Sequence, residues 1–211
     1  MNSTTPSSLQ DQAVLVLGLG QSGLAMARWC AQQGARVWVQ DTRSEPPGLA
    51  ELQAHVPTAR FIAGAFEPSL LQAHGIRAVF KSPGLSPAEV APIWQAATEA
   101  GLWVGTELSL FVHALREAQA GTGYAPQVLA ITGTNGKTTV TALTTRLLKA
   151  AGKDVAMAGN IGPNLLDTWR ERLAGPGLPA VWVLELSSFQ LDGVQGFEPT
   201  ASTVLNLTED H

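Results

Sequence analysis

Residues 128–139, VLAITGTNGKTT, combine the side chains and spacing expected of a phosphate-binding loop. A mostly apolar run, typical of a buried strand, leads into a short turn that contains Gly133 and Gly136, and a helical stretch begins at Lys137. Glycines allow several backbone N–H groups to face one anion, and a helix N-terminus adds partial positive charge. A lysine at this position contacts terminal phosphates, and the hydroxyl of Thr138 is a suitable Mg²⁺ ligand. The segment therefore predicts a nucleoside triphosphate site.

The segment departs from the usual G-x-x-x-x-G-K-[ST] pattern at one position, because Ile131 stands where the first glycine belongs. An ordinary strand-to-helix turn with a surface lysine is therefore the alternative interpretation. The succession of strand, glycine turn, G-K-T-T and helix favours nucleotide binding. The residues predicted to contact the nucleotide are Gly133, Thr134, Asn135, Gly136, Lys137, Thr138 and Thr139.

A second glycine motif lies near the start of the chain, where Gly18, Gly20 and Gly23 complete a G-x-G-x-x-G pattern. It follows the apolar run at residues 13–18 and precedes a helical stretch, and the next predicted strand ends at Asp41. This βαβ arrangement resembles the dinucleotide-binding fingerprint, in which the acid accepts the ribose hydroxyls of NAD. By itself, the motif leaves NAD and FAD as open alternatives.

Two features of the first half favour a different ligand. Thr42 and Arg43 place a hydroxyl and a guanidinium directly after Asp41, which suits a ligand with both a hydrogen-bonding edge and phosphate. A further apolar run, residues 78–80, is followed by KSPG, in which proline and glycine force a turn. Open α/β sheets bind ligands at the carboxyl ends of their strands. We therefore expect Ser82 to face the same crevice as the first glycines, and a plain turn is the alternative.

Polar residues also end several predicted strands in the second half. One apolar strand runs into Glu185, the usual position of an acid that holds Mg²⁺ or its water. Asn160 lies between glycines at the end of another strand, and a last predicted strand, residues 203–207, precedes Asp210 and His211. Parallel strands bring such ends together, although an acid at a strand end can instead cap the following helix.

These motifs predict an α/β fold: a Rossmann-like N-terminal domain with a parallel sheet, followed by a truncated P-loop-type α/β central domain. The small, flexible sequence AGTGYAP marks the boundary. We predict a flexible lead-in at 1–12, a Rossmann-like ligand-binding domain at 13–120, a linker at 121–127 and a partial ATP-binding central domain at 128–211. A final residue that is itself a site candidate leads us to expect a piece of a longer protein.

The composition excludes several classes of function. Of the 211 residues, 45% are hydrophobic and 14% charged, and the net charge of −4 provides no basic excess for nucleic acid binding. No apolar run approaches the roughly 20 residues that a membrane span needs. The polar N-terminus lacks the pattern of a secretory signal, and the single cysteine, Cys30, excludes an internal disulfide. We therefore predict a cytoplasmic protein with no nucleic acid partner and no membrane span.

Taken together, the motifs resemble those of the Mur ligase family, ATP-dependent amide-forming enzymes of peptidoglycan precursor synthesis. The resemblance is carried by TGTNGKTT at 132–139, GNIG at 159–162, LELSSFQL at 184–191 and NLTEDH at 206–211. Within the family, the segments at 18–23, 41–48 and 82–84 are most similar to the enzymes that add D-glutamate to UDP-N-acetylmuramoyl-L-alanine.

The resemblance implies that the first domain holds the UDP part of the substrate rather than NAD. The UDP-substrate contacts that it implies are Gln21, Ser22, Asp41, Thr42, Arg43, Ser82, Gly84 and, from the central domain, Asn160. It also implies that Lys137 holds the ATP phosphates, that Thr138 and Glu185 bind one Mg²⁺, and that a second metal has His211 as a ligand. The implied catalytic residues are Lys137, Glu185 and His211.

The implied reaction is phosphoryl transfer from ATP to the terminal carboxylate of the substrate. The amine of D-glutamate then attacks the acyl phosphate, and phosphate leaves. Lysine and Mg²⁺ suit this chemistry, because the charge of two anionic reactants must be neutralised. Family members also use a third domain for the amino acid and a modified lysine at the second metal, which this sequence lacks. We therefore expect the chain to bind the UDP-sugar without catalysing ligation.

Three other functions account for part of the sequence. A nicotinamide-dependent oxidoreductase explains the first glycine motif but leaves the phosphate-binding loop unexplained. A P-loop regulatory module and a folylpolyglutamate synthetase-like enzyme explain that loop but not the uridine-type first domain. The ligase is the function that uses both halves of the chain.

Overall fold

The computed structural model of the chain describes residues 8–208. Its contacts divide the chain into two compact units, the first ending at Glu107 and the second beginning at Leu108. Each unit contains one parallel β-sheet with helices in contact with it, so the predicted α/β fold class is confirmed. Within residues 8–208, every helix is too short or too polar to traverse a bilayer.

The first unit has a five-stranded sheet in the order β3-β2-β1-β4-β5. Its strands are β1 (Ala13–Leu17), β2 (Arg36–Asp41), β3 (Arg60–Ala63), β4 (Ala78–Lys81) and β5 (Trp103–Gly105), and its helices are α1 (Gln21–Gln32), α2 (Leu49–His55), α3 (Ser69–Ala73) and α4 (Pro87–Glu99). Strand β1 is apolar and buried throughout, as expected for a central strand covered on both faces. Because β2 and β4 flank β1 on opposite sides, the carboxyl ends of β1 and β4 border a topological switch point, where such sheets bind ligands.

The second unit has a four-stranded parallel sheet in the order β7-β8-β6-β9. Its strands are β6 (Gln127–Thr132), β7 (Val155–Gly159), β8 (Val181–Glu185) and β9 (Ala201–Val204), and its helices are α5 (Glu107–Thr122), α6 (Lys137–Ala150), α7 (Leu165–Ala174) and α8 (Ser188–Leu191). Ile131, Val181 and Val183 form a core cluster with Val140 and Leu148 of α6. Burial of these side chains fixes α6, and with it the loop that precedes α6, against the sheet.

Helix α5 packs on the second unit through aromatic side chains. The ring of Phe111 lies 5.0 Å from that of Trp182 and 5.7 Å from that of Trp169. Trp182 Nε1 donates to the Tyr124 hydroxyl at 2.9 Å, and this hydroxyl donates to the Pro179 carbonyl at 2.6 Å. Burial raises the pKa of Tyr124 from 10.0 to about 12, so the hydroxyl stays a donor at pH values where an exposed tyrosine ionises.

The division by contacts differs from the domain limits that the sequence predicts. Helix α5 extends to Thr122 and groups with the second unit from Leu108 onward, whereas the predicted first domain extends to residue 120. Strand β6 begins at Gln127, so the connection between α5 and β6 is residues 123–126. The aromatic packing of α5 described above accounts for the difference.

Strand β9 also differs from its prediction at residues 203–207. The strand is Ala201–Val204, and its pairing with β6 ends where Thr132 meets Val204. At that point β6 leaves the sheet to form the phosphate loop (residues 133–136). The predicted bounds are therefore wrong, because the strand ends at Val204 and the next residues, Leu205 and Asn206, lie beside this loop.

Candidate functional site

The carboxyl ends of the strands in the second unit lie side by side. Glu185, at the end of β8, is in register with Ile131 of β6 on one side and with Gly159 of β7 on the other. Thr132 is paired with Val204 of β9. The structure therefore brings the phosphate loop, Glu185 and the residues that follow β7 to one edge of the sheet.

Two glycines give the phosphate loop its shape. The φ angles of Gly133 and Gly136 are +136° and +84°, a region that other residues rarely adopt. Helix α6 begins directly afterwards at Lys137, and none of the described side chains caps its N-terminus. The first N–H groups of a helix have no partner within it. With the helix dipole, they form a site suited to an anion.

Lys137 folds back over the phosphate loop. Its Nζ donates to the carbonyl oxygens of Gly133 at 2.6 Å and of Thr134 at 3.0 Å, and the side chain is partly buried. Thr138 and Thr139 are exposed in the first turn of α6. A cation and two accessible hydroxyls therefore stand at the N-terminus of the helix, where phosphate oxygens and a metal ion would be held.

Glu185 is a buried acid, and only one of its two carboxylate oxygens has a hydrogen-bond partner among the described residues. The residue is 1% exposed, and its Oε1 accepts from Asn160 Nδ2 at 3.2 Å. Its Oε2 is buried without a hydrogen-bond partner among the described residues. A buried carboxylate oxygen is costly unless it is paired or coordinates a metal, and oxygen is the ligand that Mg²⁺ prefers. Glu185 therefore fits a divalent cation at this edge of the sheet.

Asn206 and Thr208 contact the phosphate loop, a role that the sequence motifs do not predict for them. Asn206 hydrogen-bonds to the backbone of Thr134 and Asn135, and Thr208 bonds to the side chain of Thr134. Both residues belong to the NLTEDH segment. The side-chain contacts join residues 71 and 74 positions apart, so no local signal in the sequence reveals them.

In the first unit, Asp41 connects the ends of β1 and β2. Its Oδ2 accepts from the N–H of Leu19 at 2.7 Å. The guanidinium of Arg43 binds the same carboxylate through two hydrogen bonds of 2.8 Å, from Nε and Nη2. The Asp41 side chain is 2% exposed and that of Arg43 is 53% exposed. A buried acid thus fixes both the first glycine turn and an accessible cation beside it.

The first glycine turn is closely packed. Ser82 is buried, and its hydroxyl donates to the carbonyl of Gly18 at 3.1 Å. Gly18 has a φ of +83°, and a Cβ on Gly23 would lie 1.9 Å from the Gly18 carbonyl oxygen. Steric fit between α1 and the turn therefore requires glycine at 23. This requirement explains part of the G-x-G-x-x-G pattern without any nucleotide.

The remaining residues assigned to the UDP substrate lie near these positions. They follow β2 or β4, or begin α1: Thr42, Gly84, Gln21 and Ser22. Gln21, Thr42 and Gly84 are exposed. His211 and Asp210 lie outside the described residues. The roles given to all these residues in ligand binding stay predictions.

The Asp41–Arg43 pair predicts a pH-dependent contribution to stability. The hydrogen-bonded guanidinium lowers the pKa of Asp41 from 3.8 to about 2, against the opposing effect of burial. A depressed pKa in the folded state means that the stabilisation is complete above about pH 4 and is lost as the pH falls towards 2. Because Arg43 is half exposed to solvent, we expect about 1 kcal/mol.

This contribution is measured by urea unfolding of the wild-type chain and of Arg43→Met, which keeps the apolar stem. The difference in unfolding free energy is expected to be largest above pH 4 and to shrink towards pH 2. A difference that stays constant between pH 6 and pH 2 would contradict the pairing.

Two family models match the chain, and together they span most of it. The model described as "Mur ligase MurD-like, N-terminal domain" matches residues 12–105. The model described as "Mur ligase middle domain" matches residues 131–211. The chain belongs to the Mur ligase family. The match confirms the resemblance seen in the sequence motifs.

Curated Mur ligases with high identity cover the chain almost completely. A UDP-N-acetylmuramoylalanine--D-glutamate ligase of Albidiferax ferrireducens is 61% identical over 205 residues, 97% of this chain and 40% of that protein. The corresponding ligase of Cupriavidus pinatubonensis is 55% identical and covers 96% of this chain and 40% of its own length. The chain thus spans about two fifths of the length of these relatives.

A solved Mur ligase structure supports the fold. The UDP-N-acetylmuramate:L-alanyl-gamma-D-glutamyl-meso-diaminopimelate ligase from Neisseria meningitides aligns with a TM-score of 0.50 at 14% identity. The alignment covers 95% of this chain and 62% of that one. At this identity the similarity concerns the fold alone.

Proposed function

We propose that the chain carries the UDP-substrate and ATP-binding parts of a ligase that joins D-glutamate to UDP-N-acetylmuramoyl-L-alanine. The observation that carries the proposal is the 61% identity over nearly the whole chain to a ligase named for D-glutamate. The geometry of the second unit supports it, because Lys137 lies at the same sheet edge as a helix N-terminus and a Glu185 oxygen that have no partner within residues 8–208.

In the proposed ATP site, a few residues of the second unit bind the phosphates and others hold the metal ion. The N–H groups at the start of α6 and the Lys137 ammonium bind phosphate oxygens. Glu185 and the Thr138 hydroxyl would hold Mg²⁺, and Asn160 orients the Glu185 carboxylate. When bound, Mg²⁺ neutralises phosphate charge and so permits attack by an anionic nucleophile. A second metal with His211 as ligand remains a prediction.

In the proposed UDP site, the first unit supplies a cation and hydrogen-bonding groups at the switch point. Arg43 binds phosphate or the uridine side while Asp41 holds its guanidinium in place. The other proposed contacts in this unit are Gln21, Ser22, Thr42, Ser82 and Gly84. The substrate contact implied for Asn160 stays a prediction. The hydroxyl of Ser82 already donates to Gly18, so we assign Ser82 to shaping the turn and contacting the ligand through its remaining acceptor capacity.

The proposed reaction has two steps. An oxygen of the substrate carboxylate forms a bond to the γ-phosphorus of ATP as the bond to ADP breaks, which yields an acyl phosphate. The deprotonated amine of D-glutamate then attacks the acyl carbon, and inorganic phosphate leaves. The process belongs to peptidoglycan synthesis, and hence to cell wall biogenesis, cell shape and cell division. We place it in the cytoplasm.

An NAD-binding oxidoreductase is not favoured. In dinucleotide-binding folds, the acid at the end of the second strand accepts hydrogen bonds from the ribose. Here the carboxylate of Asp41 already accepts from Leu19 and from the guanidinium of Arg43. The glycine at position 23 has a steric reason of its own. The relatives at 55% and 61% identity are ligases by name.

Calorimetric titration of the chain with UDP-N-acetylmuramoyl-L-alanine, with NADH in parallel, tests the proposed function. We expect the UDP-sugar to bind and Arg43→Ala to weaken it about tenfold, because a charge-assisted contact is lost. Arg77→Ala is the matched control, since Arg77 is exposed at the opposite, amino end of β4. We measure binding rather than ligation, because the chain spans two fifths of the length of this relative.

Three outcomes would count against the proposal. NADH binding without UDP-sugar binding would restore the oxidoreductase. Binding that weakens equally in the Arg43 and Arg77 variants would show that Arg43 does not contact the UDP-sugar. A chain that is folded by circular dichroism but binds neither ligand would contradict the first unit as a UDP-substrate site.

A further inference from the structure

Asn206 forms three hydrogen bonds with two neighbouring residues of the phosphate loop. Its backbone carbonyl accepts from the N–H of Thr134 at 3.1 Å. Its Oδ1 accepts from the N–H of Asn135 at 2.8 Å, and its Nδ2 donates to the carbonyl of Asn135 at 2.9 Å. The side-chain amide therefore pairs with both backbone groups of one residue, as an adjacent strand does.

Further contacts extend this pairing along residues 205–208. The N–H of Leu205 donates to the Thr132 carbonyl at 2.9 Å. The Thr134 hydroxyl donates to the carbonyl of Thr208 at 3.3 Å and accepts from its N–H at 3.1 Å. A Cβ on Gly133 would lie 3.1 Å from the backbone of Asn206. The segment after β9 thus continues beside the phosphate loop where the ladder ends.

These contacts determine which donors remain for an anion. The N–H groups of Thr134 and Asn135 already have acceptors in Asn206. The N–H groups at the start of α6 have no side-chain cap among the described residues. The ammonium of Lys137 donates to two loop carbonyls, and an ammonium has a third N–H that can bind a phosphate oxygen.

We propose that Asn206 is a positioning residue for the ATP phosphates, an inference that rests on the ATP site proposed above. Its amide holds residues 134–135 in place while Lys137 binds phosphate oxygens. Because the N–H groups of these two residues are occupied, the phosphates are directed to the first turn of α6 and to Lys137.

The amide at position 206 has both a donor and an acceptor in use, so neither alanine nor aspartate replaces it. Alanine loses both side-chain hydrogen bonds to Asn135. Aspartate retains an acceptor for the Asn135 N–H. It loses the donor to the Asn135 carbonyl, however, and introduces negative charge next to the phosphates, where like charges repel.

Titration of the 211-residue chain with Mg²⁺-ATP tests this role in the wild type, Asn206→Ala and Asn206→Asp. We expect the dissociation constant to rise about tenfold for the alanine variant and further for the aspartate variant. Ser202→Ala, which truncates an exposed side chain on β9, is expected to stay within twofold of the wild type.

The titration distinguishes a failure of the role of Asn206 from a failure of the proposed ATP site. Equal affinity of the wild type and Asn206→Ala would overturn the role of Asn206 and leave the ATP site in place. Absence of Mg²⁺-ATP binding by the folded wild type would contradict the proposed function, and the inference with it.

Amide hydrogen exchange separates positioning from a general loss of stability. In the wild type, we expect the N–H of Asn135 to be protected both without and with Mg²⁺-ATP. In Asn206→Ala, this N–H should lose protection while those of β6 and β8 keep theirs. Rapid exchange at Asn135 in the wild type would overturn the inference. So would loss of protection throughout β6 and β8 in the variant, which would indicate a merely structural role.

Discussion

Replacing Lys137 with alanine is expected to weaken Mg²⁺-ATP binding about 100-fold. The variant removes the ammonium that stands over the phosphate loop and leaves the N–H groups of α6 as the remaining donors. A hydrogen bond to a charged group contributes about 1.5–3 kcal/mol, and 1.4 kcal/mol corresponds to a factor of ten in affinity. The dissociation constant is measured by calorimetry at fixed Mg²⁺ and ionic strength.

Lys149→Ala is the matched control for this experiment. Lys149 is an exposed lysine in the last turn of the same helix, away from the phosphate loop. We expect the control to bind Mg²⁺-ATP with wild-type affinity. Because Lys137 also bonds to two loop carbonyls, both variants are melted to verify that they remain folded. Unchanged affinity in a folded Lys137→Ala variant would mean that the loop is not the nucleotide site.

Replacing Gly159 with alanine is expected to destabilise the second unit by about 3–4 kcal/mol. Gly159 ends β7 with a φ of +128°, and a Cβ there would lie 2.1 Å from the carbonyl oxygen of Glu185. Relief of this overlap requires β7 and β8 to separate at the edge where Glu185 lies. Backbone strain and steric overlap both contribute to the cost. Urea unfolding followed by circular dichroism measures it.

Gly64→Ala is the control that measures the backbone strain alone, so its difference from Gly159→Ala gives the steric part of the cost. Gly64 has a nearly identical φ of +129°, but a Cβ there would meet no atom within 4 Å. We expect it to cost about 1–2 kcal/mol, from backbone strain alone. Equal destabilisation by the two variants would show that β7 and β8 do not approach as closely as described.

The elements that border the candidate sites could be predicted because their signals are local. An apolar run that ends in an acid predicts the end of β8 at Glu185, and glycine followed by G-K-T-T predicts the start of α6 at Lys137. In contrast, α2, α3 and β3 escape prediction. Each has at most seven residues, and β3 buries none of its side chains completely, so periodicity is too weak to detect.

The domain limits could not be predicted correctly either, because the sequence does not show which sheet α5 packs against. The small residues at 120–126 indicate flexibility, but they do not indicate which sheet α5 covers. Phe111 determines this by packing against Trp169 and Trp182, whose positions depend on the order of the strands. The bounds of β9 depend in the same way on the point at which β6 leaves the sheet.

The sequence by itself determined the α/β class, the two glycine turns, the family and the residue types available for phosphate and metal binding. Only the tertiary structure decided which of these groups are already engaged. The deciding hydrogen bonds join Leu19 to Asp41, Asn160 to Glu185 and Asn135 to Asn206, which are 22, 25 and 71 residues apart. Such bonds form only when strand order and register bring distant segments within about 3 Å, and local patterns along the chain contain no information about that distance.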